Sequence, residues 1–165
     1  MNTNPALSHE RSAARLAALQ ALYQLEMTGN APGDVIEEFI EHRFGRDAEN
    51  GISVPHDEAF FADIVHGVLK HQLEIDRSIA RSLASDWTLA RIDSILRALL
   101  RAATYELVAR RDVPARVVID EYVELAHDFF EGEEPGFVNA VLDHLAHRKR
   151  ATEFGETPPD DELQF

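Results

Sequence analysis

The stretch ARIDSILRALLRAATYELVAR, residues 90–110, decides the fold class of this chain. Its apolar side chains recur at steps of three and four residues, which is the period of one face of an α-helix. A stripe this broad predicts a buried helix at the centre of the domain. The stripe consists of Ile92, Ile95, Leu96, Leu99, Leu100, Ala103 and Leu107.

Helical periodicity continues on both sides of this stretch and predicts an all-α fold. No run alternates apolar and polar residues over a length that would predict a strand, so we expect no sheet. Pro114 and Pro135 stand where the first turns of two further helices would begin. Segment 45–56 contains two glycines and a proline and is expected to be a loop. Four other helices are predicted. The first runs from about 10 to 27, with Ser8 as its N-cap, and its apolar face consists of Leu16, Leu19, Leu22, Tyr23 and Met27. The other three run from about 33 to 44, from 57, and from about 73 to 83.

Length and composition indicate one folded domain over about residues 10–150. The chain has 165 residues, of which 45% are hydrophobic, and this is enough for a core. Residues 1–9 are expected to be flexible. Residues 151–165 carry two prolines, five acidic residues and little periodicity, which predicts a disordered acidic tail. No long apolar run or signal peptide is evident, so we expect a cytoplasmic protein without a membrane partner.

The sequence offers little catalytic chemistry. It contains no cysteine, which excludes disulfides, thiolate metal sites and a cysteine nucleophile. It contains no glycine-rich phosphate loop and no nucleophile elbow. His144 and His147 are three residues apart beside Asp143, but no third ligand stands at a spacing typical of zinc sites. We therefore expect a protein that is not an enzyme and that uses no metal or other cofactor.

The net charge of −14 disfavours binding to a long phosphate backbone and favours a basic protein partner. Arg11 and Arg15 are one helical turn apart, as are Arg97 and Arg101. Each pair could form a binding ridge or could be paired with nearby acids, and the sequence leaves both interpretations open. Phe137 stands beside an apolar stripe, so it could stack on a base or could belong to the rim of the core.

Several segments, taken in order, resemble the NusB family of bacterial antitermination factors. The resemblance covers about residues 10–146, with a looser region at 31–57. The FVNAVLD segment is fairly specific, and the order of all the segments is stronger than any one of them. They are LQALY at 19–23, LRAATYEL at 100–107, DVP at 112–114, IDE at 119–121 with ELA at 124–126, and FVNAVLD at 137–143.

The resemblance implies a fold of about seven helices in two small packed bundles. It also implies a function in ribosomal RNA transcription, in which the protein pairs with the ribosomal protein NusE, holds the boxA element of nascent RNA and joins an antitermination complex on RNA polymerase. The positions that match the family's RNA-binding regions are Arg11, Arg15, Glu133, Phe137 and Asn139. The positions that match its partner-binding side are Leu19, Tyr23, Arg97 and Arg101.

Two departures from the family pattern concern these sites. The first helix has a thinner arginine cluster, because Ser12 and Ala13 follow Arg11, and Leu96 stands where relatives often place a glutamate. Two other functions remain open: a protein-interaction module without RNA contact, and an RNA-binding domain like that of a ribosomal RNA cytosine methyltransferase. Because the sequence ends before a cofactor-binding domain of such an enzyme could follow, we expect a free-standing factor instead. The acids of the tail could also fold back on the basic segment 148–150 and weaken RNA binding.

Overall fold

A computed structural model describes residues 5–43, 57–84 and 87–160 of the chain. Within these ranges all regular structure is helical, which confirms the predicted all-α class. None of the helices in these ranges is long and apolar enough to span a membrane. The loop predicted at 45–56 lies outside the described residues. The α-helices are α1 (Pro5–Thr28), α2 (Pro32–Glu38), α3 (Glu58–Lys70), α4 (Gln72–Ser82), α5 (Ser94–Ala109), α6 (Ala115–Phe129) and α7 (Glu134–Lys149).

The chain divides into two compact units, residues 1–67 and residues 68–165, as the family resemblance implied. The first unit is built from α1, α2 and the first part of α3 around aromatic side chains. The rings of Phe39 and Phe61 stack with their centroids 5.7 Å apart. Asp57 caps α3, because its Oδ1 accepts a hydrogen bond from the Phe60 N–H at 2.9 Å. Gly29 ends α1 in the left-handed conformation, with φ of 69°, a conformation that suits glycine at this position.

The second unit is organised around α5, as the sequence predicts. Helix α5 packs against α4, α6 and α7. Every member of its predicted apolar stripe except Ile95 is buried. The helix begins at Ser94 rather than near residue 90, because the Asp93 side chain caps it by accepting hydrogen bonds from the N–H groups of Ile95 and Leu96. The preceding residues Leu89–Arg91 form a single 3₁₀ turn.

Both predicted ends of the domain need correction. Helix α1 begins at Pro5 instead of residue 10, so Ser8 lies inside the helix and is not its N-cap. Residues Ala151–Phe154 form a 3₁₀ helix where a disordered tail was expected. The periodicity argument failed there because these residues are held by contacts with distant segments, among them a hydrogen bond from the Ala115 N–H to Glu153 Oε1 at 2.7 Å.

Candidate nucleic-acid interface

In the first unit, Arg11 and Arg15 both lie on the ring of Phe60. Their guanidinium carbons are 4.8 Å and 5.1 Å from the ring centroid, which is the geometry of a cation–π contact. Arg11 also has its Nε 3.7 Å from Asp57 Oδ2 and remains partly exposed. Arg15 is only 2% exposed. Direct RNA contact was expected of both residues. Arg11 keeps accessible surface for such a contact, whereas the Arg15 side chain is almost entirely buried.

The predicted partner-facing residues of α1 divide in the same way. Leu19 is 1% exposed and belongs to the core, so in this structure its side chain offers almost no surface to a partner. Tyr23 is 37% exposed and Met27, one turn later, is 52% exposed. The sequence predicted both on the inward apolar face of the helix, but the structure leaves them exposed beyond the buried residues Leu19 and Leu22. Their neighbouring exposed side chains form an apolar patch on α1.

Arg97 and Arg101 are engaged within the second unit and do not form one open ridge. Arg101 makes two hydrogen bonds to the Asp76 carboxylate, at 2.8 Å and 3.0 Å. Arg97 Nη1 donates to the carbonyls of Leu89 and Ile92 at 3.2 Å and 3.1 Å. The alternative interpretation, pairing with nearby acids, therefore describes Arg101, whereas Arg97 bonds to backbone carbonyls. Any contact with a partner would have to use the parts of these side chains that remain exposed.

A cleft of about 290 Å³ lies at the start of α7, between that helix and the segment that precedes α5. Phe137 forms one side, and the indole of Trp87 faces it with ring centroids 6.0 Å apart and planes inclined by 40°. Phe137 is half-buried, whereas Trp87 is 54% exposed. The other lining residues are Arg91, Ile92, Asp93, Leu96, Glu133 and Glu134.

Of the predicted RNA-binding residues in this unit, the cleft brings together Glu133 and Phe137. Asn139 is exposed on α7 but does not line the cleft. Trp87 was missed by the sequence reasoning. The available signal was the position of the chain's one tryptophan in a short polar segment without helical periodicity, where no core stripe could account for it.

The polar lining of the cleft is mostly acidic. The Asp93 carboxylate is occupied by its capping bonds to α5. Glu133 precedes α7 and makes no side-chain capping bond. The Oε2 atom of Glu134 is buried and has no hydrogen-bond partner within the described part of the chain. A carboxylate oxygen accepts hydrogen bonds only, so this cleft suits a ligand that donates them.

The basic end of α7 is largely structural. Arg150 is 2% exposed, and its guanidinium donates to the carbonyls of Leu107 at 2.7 Å, Arg110 at 2.9 Å and Glu106 at 3.1 Å. It also pairs with Glu153 at 3.1 Å. Burial alone would raise the pKa of the Glu153 carboxyl, but the hydrogen bonds from the Ala115 N–H and Arg150, with the charges of Arg150 and Arg111, bring that pKa below its usual value.

The two histidines considered as metal ligands serve other contacts. His144 Nδ1 lies 2.9 Å from the Ser82 hydroxyl. His147 Nδ1 lies 2.6 Å from Glu156 Oε1, and the His147 ring stacks on Phe154 with centroids 4.1 Å apart. Across the described ranges, no three His, Asp or Glu side chains are grouped so that they could hold a metal ion.

Comparison with known proteins gives a consistent result. The model of the NusB family matches residues 12–147. The chain is 52% identical over 147 residues to the transcription antitermination protein NusB of Rhodopseudomonas palustris (strain BisB18), covering 89% of this chain and 87% of that one. It is 54% identical over 140 residues to the protein of the same name from Caulobacter vibrioides, covering 85% and 94%.

Solved structures agree with the sequence relatives. The structure of T. maritima NusB matches with a TM-score of 0.74 at 28% identity, covering 94% of this chain and 99% of that one. A crystal structure of the antitermination factors NusB and NusE in complex with dsRNA contains a chain that matches with a TM-score of 0.65 at 26% identity, covering 82% and 94%.

Proposed function

This chain belongs to the NusB family, and from that premise we propose that it is a transcription antitermination factor that binds boxA-type RNA together with NusE. The observation that carries the proposal is the identity of about half of all residues to proteins of that name over nearly the whole chain. The structural match to a NusB chain crystallised with NusE and dsRNA supports both partners. The proposed setting is the cytoplasm, in the antitermination complex on RNA polymerase, with no catalytic role.

For RNA contact, we assign Arg11, Glu133, Phe137 and Asn139. Arg11 is the accessible member of its pair and offers a cation to a phosphate. Phe137 presents a half-buried ring at the rim of the cleft, where a base can stack. Glu133 lines the cleft beside that ring, Asn139 is exposed on α7, and both offer polar groups for base edges. Arg15 acts through Phe60 by holding Arg11 in place.

For the protein partner, we assign the apolar patch of Tyr23 and Met27. Tyrosine and methionine are enriched at protein interfaces because they combine a large contact area with adaptability. The net charge of −14 favours a basic ribosomal protein, and the cations of that partner would also reduce the repulsion of RNA. Arg97 and Arg101 contribute by fixing the segments around α5.

The test is binding of a fluorescent boxA-type RNA to this protein, to NusE and to the mixture, at two salt concentrations. We expect the mixture to bind the RNA more tightly than either protein alone. The Phe137→Ala variant should lower the affinity of the mixture about tenfold. Phe129→Ala is the matched control, because Phe129 is a similarly exposed aromatic residue on α6, 38% exposed, outside the cleft.

One alternative retains some support. The acidic charge and the burial of Arg15 would suit a protein that binds NusE without touching RNA. A complex with NusE that gains no affinity for RNA, together with an unchanged Phe137→Ala variant, would favour that alternative. The methyltransferase alternative gains no support from the relatives described above, which are antitermination proteins.

A further inference from the structure

We propose that His144 contacts an RNA phosphate and that RNA binding takes up a proton at this residue. The inference rests on the RNA-binding function proposed above and adds a contact and a pH dependence to it. From the sequence, His144 was considered only as a metal ligand. The structure gives its ring a fixed direction and leaves one of its nitrogens without a partner among the described residues.

Ser82 decides which nitrogen of His144 is available. The Ser82 hydroxyl donates to the Ser78 carbonyl at 3.3 Å, within α4. A hydroxyl has only one proton to donate, so its oxygen accepts from His144 Nδ1, which lies 2.9 Å away. We therefore assign the proton of the neutral imidazole to Nδ1. Nε2 is then the nitrogen that carries a lone pair, and it becomes an N–H donor when the ring gains a second proton.

His147, about one turn further along α7, offers no such nitrogen. Its Nδ1 lies 2.6 Å from Glu156 Oε1, and its Nε2 lies 3.6 Å from Asp143 Oδ1. Phe154 covers one face of the ring. Both nitrogens of His147 are thus occupied by carboxylates, whereas His144 is exposed and has one nitrogen left. Of the two histidines in α7, only His144 can bind an anion.

His144 lies on the same side of α7 as Phe137, which the proposed function assigns to RNA. The two residues are seven positions apart, about 10 Å along the helix and within about 20° of the same direction around it. Trp87 contacts Phe137 and Ser82 contacts His144, so the end of α4 and the residues after it border this side of α7 at both points. Ala140, between the two positions, is exposed and has a short side chain that leaves room for an RNA backbone. A single strand that reaches Phe137 can therefore continue to His144.

The charges around His144 favour an anion. On α4, which contacts His144, Arg81 is exposed. On α7, Arg148 follows His144 by one turn and is partly exposed, whereas the neighbouring Asp143 carboxylate lies 3.6 Å from the His147 ring. Helices α5 and α6 also pack on α7, but among the described residues neither contributes a hydrogen bond or an ion pair to His144. A phosphate at this position would therefore meet two cations and one carboxylate that already has a partner.

The coupling to protons follows from the chemistry of the contact. A histidine ordinarily gains its second proton at about pH 6.5, so at neutral pH a free imidazole is mostly uncharged. A phosphate beside Nε2 favours the charged form, because that form donates a hydrogen bond and carries an opposite charge. RNA then binds the protonated protein more tightly than the unprotonated one, and by linkage the bound state takes up a proton. The affinity for RNA should rise as the pH falls.

The experiment measures binding of boxA-type RNA to the full chain with NusE, at about pH 6 and about pH 8 and at constant ionic strength. Between the lower and the higher pH, we expect the wild type to lose about fivefold more affinity than His144→Gln. His127→Gln is the matched control, because His127 is an exposed histidine on α6 and its loss should leave the pH dependence of the wild type unchanged. Calorimetry in two buffers with different ionisation enthalpies counts the protons taken up, and this number should fall in His144→Gln.

Two further variants test the geometry. His144→Lys carries a charge at both pH values, so it should bind RNA more tightly than the wild type at the higher pH and remove the same part of the pH dependence as His144→Gln. Ser82→Ala keeps the histidine but releases its ring, and it should lower the affinity about twofold at the lower pH.

The outcomes separate this proposal from the function on which it rests. RNA binding whose pH dependence is the same in the wild type and in His144→Gln would overturn the proton-linked contact and leave the RNA-binding function intact. A loss of affinity in His144→Gln that is equal at both pH values would also overturn it, because the contact would then involve no proton. Failure of the wild type to bind RNA at either pH, with or without NusE, would overturn both proposals.

Discussion

Replacing Arg150 by methionine should lower the free energy of unfolding by about 3–5 kcal/mol. The guanidinium is 2% exposed and donates to the carbonyls of Glu106, Leu107 and Arg110. The carbonyls of Glu106 and Arg110 also accept from the N–H groups of Arg110 and Val113, whereas the Leu107 carbonyl lies in the last turn of α5, where a carbonyl has no partner inside the helix. Methionine keeps much of the volume but donates nothing, so the buried Leu107 carbonyl would be left without a donor and the other two would each lose a charged one.

The magnitude follows from the number of bonds. A hydrogen bond to a charged group is worth about 1.5–3 kcal/mol, and a buried acceptor left without a donor costs about 1–3 kcal/mol. Removing the charge of Arg150 also removes the free-energy cost of keeping that charge out of water, and this offsets part of the loss. The expected net loss is therefore about 3–5 kcal/mol. In a chain of 165 residues, that loss corresponds to a fall in Tm of about 8–15 °C.

The assay is urea unfolding followed by circular dichroism, with Tm from a thermal scan. Arg116→Met is the matched control, since Arg116 is an exposed arginine on α6 and its loss should cost less than about 0.5 kcal/mol. The loss of stability for Arg150→Lys should lie between those of the other two variants, because an ammonium group cannot reach all the carbonyls that the planar guanidinium binds. A loss below about 1 kcal/mol for Arg150→Met would refute the reasoning.

Three further predictions concern other contacts. The lowered pKa of Glu153 means that its contribution to stability is present at neutral pH and is lost as the pH falls through that pKa, so the difference in Tm between the wild type and Glu153→Gln should be largest near neutral pH and shrink as the pH falls below the usual range of a glutamate carboxyl; a constant difference would contradict this. Arg101 and Asp76 should show a coupling energy of about 1–2 kcal/mol in a double-mutant cycle of Arg101→Met and Asp76→Asn, and additive effects would mean that the pair contributes nothing. Tyr23→Asp and Met27→Ser should each weaken binding to NusE at least about fivefold, as measured by calorimetry, without changing Tm, and unchanged affinity would remove the apolar patch from the partner interface.

The helices could be predicted because burial of a helix face leaves a local, periodic signal. The stripe of α5 is an example, and Leu99 and Leu107 are fully buried as expected. The roles of the arginines could not be obtained in this way. Arg150 bonds to Leu107 across 43 positions of sequence, and Arg101 bonds to Asp76 across 25. Periodicity gives the side of a helix on which a residue lies but not the acceptor that a distant segment brings to it.

The candidate site shows the same limit. Phe137 was predicted to be an RNA-binding residue from its place beside an apolar stripe and from the family resemblance. Trp87 was not, because it lies between helices, where no repeated spacing exists to compare it with. Arg15 was predicted to contact RNA because it matches the family's RNA-binding region, but its long side chain packs over Phe60 and is buried. A charged residue is usually exposed, and only the packing of α1 on α3 identifies this exception.

The arrangement around Arg150 also bears on the order of events during synthesis. The ribosome completes α5 well before it adds the residue whose guanidinium binds the end of that helix. At about 5–20 residues per second, the 43 positions that separate Leu107 from Arg150 take about 2–9 s to add. During that interval the Leu107 carbonyl lacks the donor that the folded protein provides and is left to water. The second unit therefore reaches its final structure only after translation of its last helix, whereas residues 1–67 have the whole of that time in which to fold.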